Sequence, residues 1–153
     1  MRPATYPTYL EAAVTGYAEE NVAAGRWPEL GALARSREDF LSLLPGGLAT
    51  PDNFLFEIAE NETCPTIGFV WCALETKHGS CTAYIYDLEI AASHRRRGHA
   101  RRALQLLEST AIAAGASSIG LNVFANNAGA QSLYRQLGYA PTNLNMRKML
   151  ECP

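Results

Sequence analysis

Residues 81–115 read CTAYIYDLEIAASHRRRGHARRALQLLESTAIAAG, and this stretch decides the fold. Its first part, Cys81 to Ala91, is mostly apolar or aromatic, the composition of a central strand covered on both faces. Its last part carries Ala100, Ala103, Leu104, Leu107, Ala111 and Ala114 at the i, i+3, i+4, i+7 spacing of a helix lying on a sheet. Arg101, Arg102, Gln105 and Glu108 fall on its other faces, and Gly115 suits the left-handed residue that ends such a helix. Between strand and helix stands Arg95-Arg96-Arg97-Gly98-His99-Ala100. A helix start presents N–H groups without intrahelical partners and the positive end of the dipole. A turn of small residues there can wrap a pyrophosphate while flanking arginines supply countercharge.

Working outward, Ser118 to Phe124 (SIGLNVF) reads as another strand, and Asn127 to Tyr139 as a helix with Asn127 as N-cap and Gly138 at its end. On the N-terminal side, Tyr9 to Ala24 and Ser36 to Leu44 read as helices separated by Gly25-Arg26-Trp27-Pro28. Ser36 is the expected cap of the second, with Glu38 and Asp39 in its first turn. Two turn-rich pieces, Leu44 to Leu48 and Thr50 to Asn53, lead into strands at Phe54 to Glu60 and Thr66 to Glu75, a hairpin across Glu60 to Pro65. Leu144 to Leu150 is the expected last strand. Helices, then antiparallel strands, then strand–helix–strand–helix–strand give an α+β fold, a central mixed sheet flanked by about four helices. At 153 residues, 1–153 reads as a single domain.

Several function classes are disfavoured. No run of eighteen apolar residues occurs, and no charged segment followed by an apolar stretch opens the chain, so neither a membrane span nor a secretory signal is expected and the location expected is cytoplasmic. Cys64, Cys72, Cys81 and Cys152 lack paired spacing, and His78, His94 and His99 are scattered, so no metal site is expected. Residues 1–80 carry eleven acids against five Lys/Arg, a net −6, whereas 81–153 carry four against eight, a net +4. The basic half holds the phosphate turn, which suits an anionic cofactor at one end of a cleft and a cationic acceptor at the other. The acidic pI of about 5.9 disfavours nucleic acid, which calls for a far broader basic face than three arginines.

Arg95-x-x-Gly98-x-Ala100 has the form of the acyl-coenzyme A signature Gln/Arg-x-x-Gly-x-Gly/Ala of the GCN5-related N-acetyltransferases (GNAT). Asn127, Ala130, Leu133, Tyr134, Gly138 and Tyr139 match that family's pattern Asn-x-x-Ala-x-x-Leu-Tyr-x-x-x-Gly-Phe/Tyr position by position. The resemblance covers nearly the whole chain and is closest over 81–150. It departs in three places. Only Met1-Arg2-Pro3-Ala4 precedes the first helix where the family opens with a strand. Ala100 stands where glycine is commoner. Asn122 takes the position at which the ribosomal-protein-acetylating branch has glutamate, so that branch's base does not carry over.

The resemblance implies transfer of an acetyl or other acyl group from acetyl-coenzyme A to a primary amine of a small molecule or peptide, without a metal. Leu88, Glu89 and Ile90 would meet the pantetheine arm, Leu88 and Ile90 through their main chain. Arg96, Arg97, Gly98, His99, Ala100 and Arg101 would cradle the pyrophosphate, Arg95 would orient the turn, and Asn127 would cap its helix beside the cofactor. An amine near pKa ~10 must lose a proton before it attacks a thioester. Asp87 and Glu89, expected on one face opposite Tyr86, Leu88 and Ile90, are the candidate bases, and Tyr134 is the candidate acid for the departing thiolate. Tyr17, Glu19, Glu20, Trp27 and Asp52 are candidates for the acceptor side. Relatives commonly dimerise, although no stripe in the sequence marks an interface. A carrier-protein thioester as donor, and a non-catalytic acyl-coenzyme A sensor, remain open alternatives.

Overall fold

Pro7 in the first turn, where a missing N–H costs nothing, helps start α1 (Tyr6–Ala23), three residues before the position expected from sequence. The computed structural model describes residues 1–148. After α1 come α2 (Ala32–Leu43), β1 (Asn53–Ile58), β2 (Gly68–Lys77), β3 (Ser80–Ile90), α3 (His99–Ala113), β4 (Ser118–Leu121) and α4 (Ala128–Gln136). The strands form one sheet in the order β1-β2-β3-β4. β1, β2 and β3 run antiparallel, and β3 and β4 run parallel, which makes the sheet mixed as expected.

Helices cover both faces. On one, Tyr9, Ala13 and Val14 of α1 and Phe40 of α2 pack with Leu55 and Trp71 of the sheet. Trp71 is 1% exposed, stacks on Tyr86 at 4.6 Å and donates from its indole nitrogen to Asn53 Oδ1 at 2.7 Å. On the other face, Leu104 and Leu107 of α3 bury against Val70, Cys72 and Ile85, with Leu133, Tyr134 and Leu137 of the α4 region at the margin. Leu104 is fully buried, as the apolar stripe required.

The second helix corrects an expectation. Ser36 is not its cap but lies inside it, wholly buried, and its hydroxyl donates to Val14 O on α1 at 2.7 Å. α2 begins instead after Gly31, held at φ +80°, so Glu38 and Asp39 fall in mid-helix rather than its first turn. A serine is a frequent cap because its oxygen can serve a free N–H; here that polar group serves a helix-to-helix contact. Gly115 ends α3 at φ +85° as expected. β4 stops at Leu121, so Asn122 to Phe124 lie outside the strand they were assigned to. Residues 144–148 of the expected last strand are not in a strand, and 149–150 lie outside the described residues. At the chain start, the Met1 ammonium donates to Leu55 O at 2.6 Å and Arg2 N to Glu57 Oε1 at 2.8 Å, so this segment lies beside β1 without forming a strand.

Between β2 and β3 the register slips. Trp71 pairs with Asp87 and Cys72 with Ile85, which leaves Tyr86 as an extra, bulged residue in β3. The alternation expected along this strand therefore breaks at Tyr86. Its ring joins the α1-side core and its hydroxyl donates to Glu75 at 2.7 Å, whereas Leu88 packs into the α3-side core. Tyr86 does not share a face with Leu88.

Candidate active site

The cleft arises where β3 and β4 part. Their parallel pairing covers only Thr82–Ile85 against Ser118–Leu121, while β3 runs on to Ile90 bonded to β2 alone. Among the described residues, nothing pairs with the other edge of Tyr86–Ile90. Apart from the Ile90 carbonyl, which Arg95 Nε occupies, that edge offers backbone donors and acceptors to an extended ligand, the arrangement needed for strand-like addition. Gly68 keeps β2 tight against this segment. A Cβ there would meet Glu89 O at 2.3 Å and Ile90 Cδ1 at 2.9 Å.

Past Ile90 the chain makes the basic turn into α3. Arg95 folds back, its Nε donating to Ile90 O at 2.8 Å and its guanidinium lying 3.7 Å from Glu89 Oε1. This ties the turn to the end of β3. Arg96 sits at φ +62° and Gly98 at φ +87°, so the turn needs two left-handed residues, and glycine takes the second without steric cost. Gly98 caps α3 by conformation alone, with no side-chain bond to the first turn. The first helical bond there is Arg102 N to Gly98 O, so among the described residues the amides of His99, Ala100 and Arg101 have no backbone acceptor.

The side chains of the turn divide. Arg96 reaches the start of α4, where its Nη1 lies 3.9 Å from the position a Gly129 Cβ would take. Asn127 Oδ1 accepts from Ala130 N at 3.1 Å, the cap expected of it. Arg101 turns away to bond Gln136, and the His99 ring turns to Glu60, 3.5 Å away, in a separate groove between β1 and α3. His99 and Arg101 can therefore serve an anion at the turn through their backbone only. Arg97 is exposed and pairs with no acid among the described residues.

Asp87 and Glu89 share the α1 side of β3, as expected, with distinct surroundings. Burial pushes the Asp87 carboxyl up to about 6, helped by the charges of Glu89 and Glu20 and opposed by Tyr9 and by the Leu88 amide. Its Oδ2 is buried with no hydrogen-bond partner. Glu89 is exposed and shares its charge with Arg95. Tyr134 is half-buried in α4, its ring 5.6 Å from that of Tyr139. Its phenol is pushed above the ordinary range by burial and by the charges of Asp87 and Glu20, which places these three groups within electrostatic reach of one another.

Of the acceptor-side candidates, Glu20 is the one brought to the cleft. It lines a cavity of about 250 Å³ with Ala23, Phe124, Asn126 and Asn127, and partial withdrawal from water and the Glu89 charge push its carboxyl up. Tyr17 and Trp27 are spent on packing, edge to face at 5.3 Å, and Trp27 also lies under Arg35. Glu19 is exposed on α1, and Asp52 is exposed in the turn before β1. Two contributors went unread in the sequence. Gln131 pins the loop into α4 by donating to Phe124 O and Ala125 O, both at 3.0 Å, and Tyr9 brings a buried hydroxyl to Asp87. Tyr9 lies on the buried stripe of α1, and its polar neighbour Asp87 comes from β3, far along the chain.

Among the described residues no cluster of three or more His, Cys, Asp or Glu could hold a metal ion, and no helix is long and apolar enough to cross a membrane.

Comparison with known proteins agrees with this geometry. A family model described as the acetyltransferase (GNAT) family matches residues 17–139. The uncharacterized N-acetyltransferase YycN of Bacillus subtilis is 36% identical over 150 residues, 98% of this chain and 96% of YycN. YdgE, another uncharacterized N-acetyltransferase of Bacillus subtilis, is 33% identical over 137 residues, 90% of this chain and 87% of its own. The crystal structure of YycN superposes with a TM-score of 0.93, covering 99% of this chain and 96% of that one. A parted pair of parallel strands, an amide-rich turn at the start of α3 and the match across 17–139 coincide, and the chain belongs to the GNAT family of acetyltransferases.

Proposed function

We propose that the protein transfers an acetyl group from acetyl-coenzyme A directly to a primary amine, with both substrates in the cleft between β3 and β4. One observation carries this reading. The unpaired edge of Tyr86–Ile90 is followed, across the basic turn, by the free amides of His99, Ala100 and Arg101, which suits a long ligand with an extended arm and a pyrophosphate. The bound thioester supplies the acyl group, and this chain's residues do the rest. Main-chain groups around Leu88 and Ile90 hold the arm, and the turn amides with Arg96 and Arg97 hold the phosphates. The whole of 1–153 serves as one catalytic domain.

Asp87 acts as the base. An alkylamine is almost wholly protonated at pH 7, and its N–H must break before its lone pair can attack. A carboxyl pushed up to about 6 is still largely ionised above pH 7, yet holds a proton better than an exposed acid. Glu89, exposed and shared with Arg95, instead helps attract the ammonium together with Glu20. Tyr134, kept protonated by its surroundings, gives its proton to the departing thiolate at the cost of a small uphill step.

Calorimetric titration with acetyl-coenzyme A beside dephosphorylated pantetheine tests the turn. Free-thiol release with a panel of primary amines, n-butylamine and spermidine among them, tests the transfer. Binding that requires the pyrophosphate, followed by amine-dependent thiol release, is expected. Binding with no release from any amine would favour an acyl-coenzyme A sensor, and release only from an acylated carrier protein would favour a carrier-bound donor.

A further inference from the structure

Tyr9 is 2% exposed, yet its hydroxyl has no hydrogen-bond partner among the described residues. Such a group is costly to bury unpaired, and phenylalanine would fill the same space without that cost. The ring is well held, tilted against Phe69 at 5.1 Å and Tyr6 at 6.4 Å, so the hydroxyl has a fixed direction. Phe69, which holds the Tyr9 ring, and Trp71, which pairs with Asp87, are alternate residues of β2 on the α1 side, so the hydroxyl and the Asp87 carboxyl meet on one wall, and Asp87 Oδ2 is likewise buried without a partner. Two buried atoms that can satisfy each other give this pair a role that a phenylalanine could not fill.

We propose that Tyr9 is a positioning residue for transfer: its hydroxyl directs its proton at the Asp87 carboxyl before an amine enters and fixes the carboxylate that takes the amine proton. This rests on the transferase reading above. The proton balance is simple. An amine N–H breaks, an Asp87 O–H forms, and the Tyr9 O–H stays intact throughout. The groups that act on Asp87 are Tyr9 and Glu20 from α1, Glu89 and the Leu88 amide from β3, and, within electrostatic reach, Tyr134 from α4. Of the ionisable groups that act on Asp87 itself, Tyr9 is the one that favours the ionised carboxylate, while Glu20 and Glu89 oppose it. Burial and the Asp87 charge hold the Tyr9 phenol protonated at any working pH, so toward the ionised Asp87 carboxylate it serves as the donor.

The test compares Tyr9→Phe with Asp87→Asn in the full chain. Carbon-13 NMR of the aspartate carboxyls follows the Asp87 titration, assigned by its absence in Asp87→Asn. The same variants are then assayed by kcat/KM against pH, using whichever amine of the panel gives thiol release. In Tyr9→Phe the Asp87 titration and the acid limb of the profile should both move up by roughly half to one pH unit, a several-fold loss of rate on the acid side. Thermal stability should change little, because the weaker support of the Asp87 carboxylate and the removal of a poorly satisfied buried hydroxyl offset each other. An unmoved titration and limb, or a lowered melting temperature with an unmoved limb, would make Tyr9 a packing residue and overturn the proposal. The two readings fail separately. An inactive Asp87→Asn beside an unmoved Tyr9→Phe removes Tyr9 alone, whereas full turnover in Asp87→Asn removes the base, and Tyr9 with it.

Discussion

Asp87→Asn should make the protein more stable at alkaline pH while disabling it. The folded state raises the Asp87 carboxyl from 3.8 to about 6, so it binds that proton more tightly than the unfolded chain does. The sign follows. Stability from this group is greatest below about 3.8, falls as pH rises through about 6, and is level above that. At ~1.4 kcal/mol per unit, the ionised carboxylate costs about 3 kcal/mol at pH 8 and about 1 kcal/mol at pH 4.5. Asparagine carries no charge to desolvate but loses the interaction with Tyr9 and the Leu88 amide, worth about 1 kcal/mol. A net gain of about 1–2 kcal/mol at pH 8 is expected, or roughly 3–6 °C in melting temperature. The stability difference between variant and parent should widen by about 2 kcal/mol from pH 4.5 to pH 8. Glu20, also pushed up, contributes the same pH trend to both proteins and cancels. Urea unfolding of both proteins at several pH values measures the difference. A gap that does not change with pH, or one that closes toward pH 8, would refute a desolvated carboxylate at this position.

Three more outcomes follow from the packing around the cleft. Gly68→Ala places a Cβ 2.3 Å from Glu89 O and 3.2 Å from Ile90 Cα, so β2 and β3 must separate there; a loss of about 1–3 kcal/mol in urea unfolding and weaker acetyl-coenzyme A binding are expected, and a change under ~0.5 kcal/mol would contradict the clash. Asn53→Ala leaves the Trp71 indole N–H unpaired in a core position, and unfolding should show a loss of about 1–3 kcal/mol, whereas Asn53→Asp should lose less because its carboxylate can accept the same bond. Arg96→Gln should weaken acetyl-coenzyme A binding by roughly five- to tenfold in calorimetry at low salt and less at high salt; a loss independent of salt would point to a distorted turn instead.

What the sequence made legible was what repeats locally. The stripe from Ala100 to Ala111, the Gly115 stop, the Asn127 cap and the hairpin each depend on a few neighbouring residues and stand in the structure close to where the pattern put them, whereas Ala114, expected on the same stripe, is the exposed C-cap beyond the helix. What it hid depends on residues far apart in the chain. Ser36 carries a cap's chemistry, and its bond to Val14 O spans 22 positions. The end of β4 at Leu121 is a failure of pairing with β3, which no local pattern in SIGLNVF encodes. The turn residues were legible as a group, but the separate directions of His99 toward Glu60 and Arg101 toward Gln136 are set by β1 and α4.

Tyr86 joins these threads. Pairing between β3 and β4 ends at Ile85 and Leu121, and the bulge begins at the next residue of β3. A bulge bends its strand and sharpens the twist, so an extra residue there is a physical cause for the two strands to part at that point. It also shifts the side-chain alternation, putting Tyr86 and Asp87 on the α1 side in succession, where simple alternation would send one of them to α3. The cost of the irregularity is met locally: the Tyr86 ring stacks on Trp71 at 4.6 Å, meets Tyr84 edge to face at 5.0 Å, and its hydroxyl holds Glu75. Opening the cleft and turning its buried acid toward Tyr9 are thus one structural event. Strict alternation carried on from Ile85 through Tyr86 would instead point Asp87 at the α3-side core.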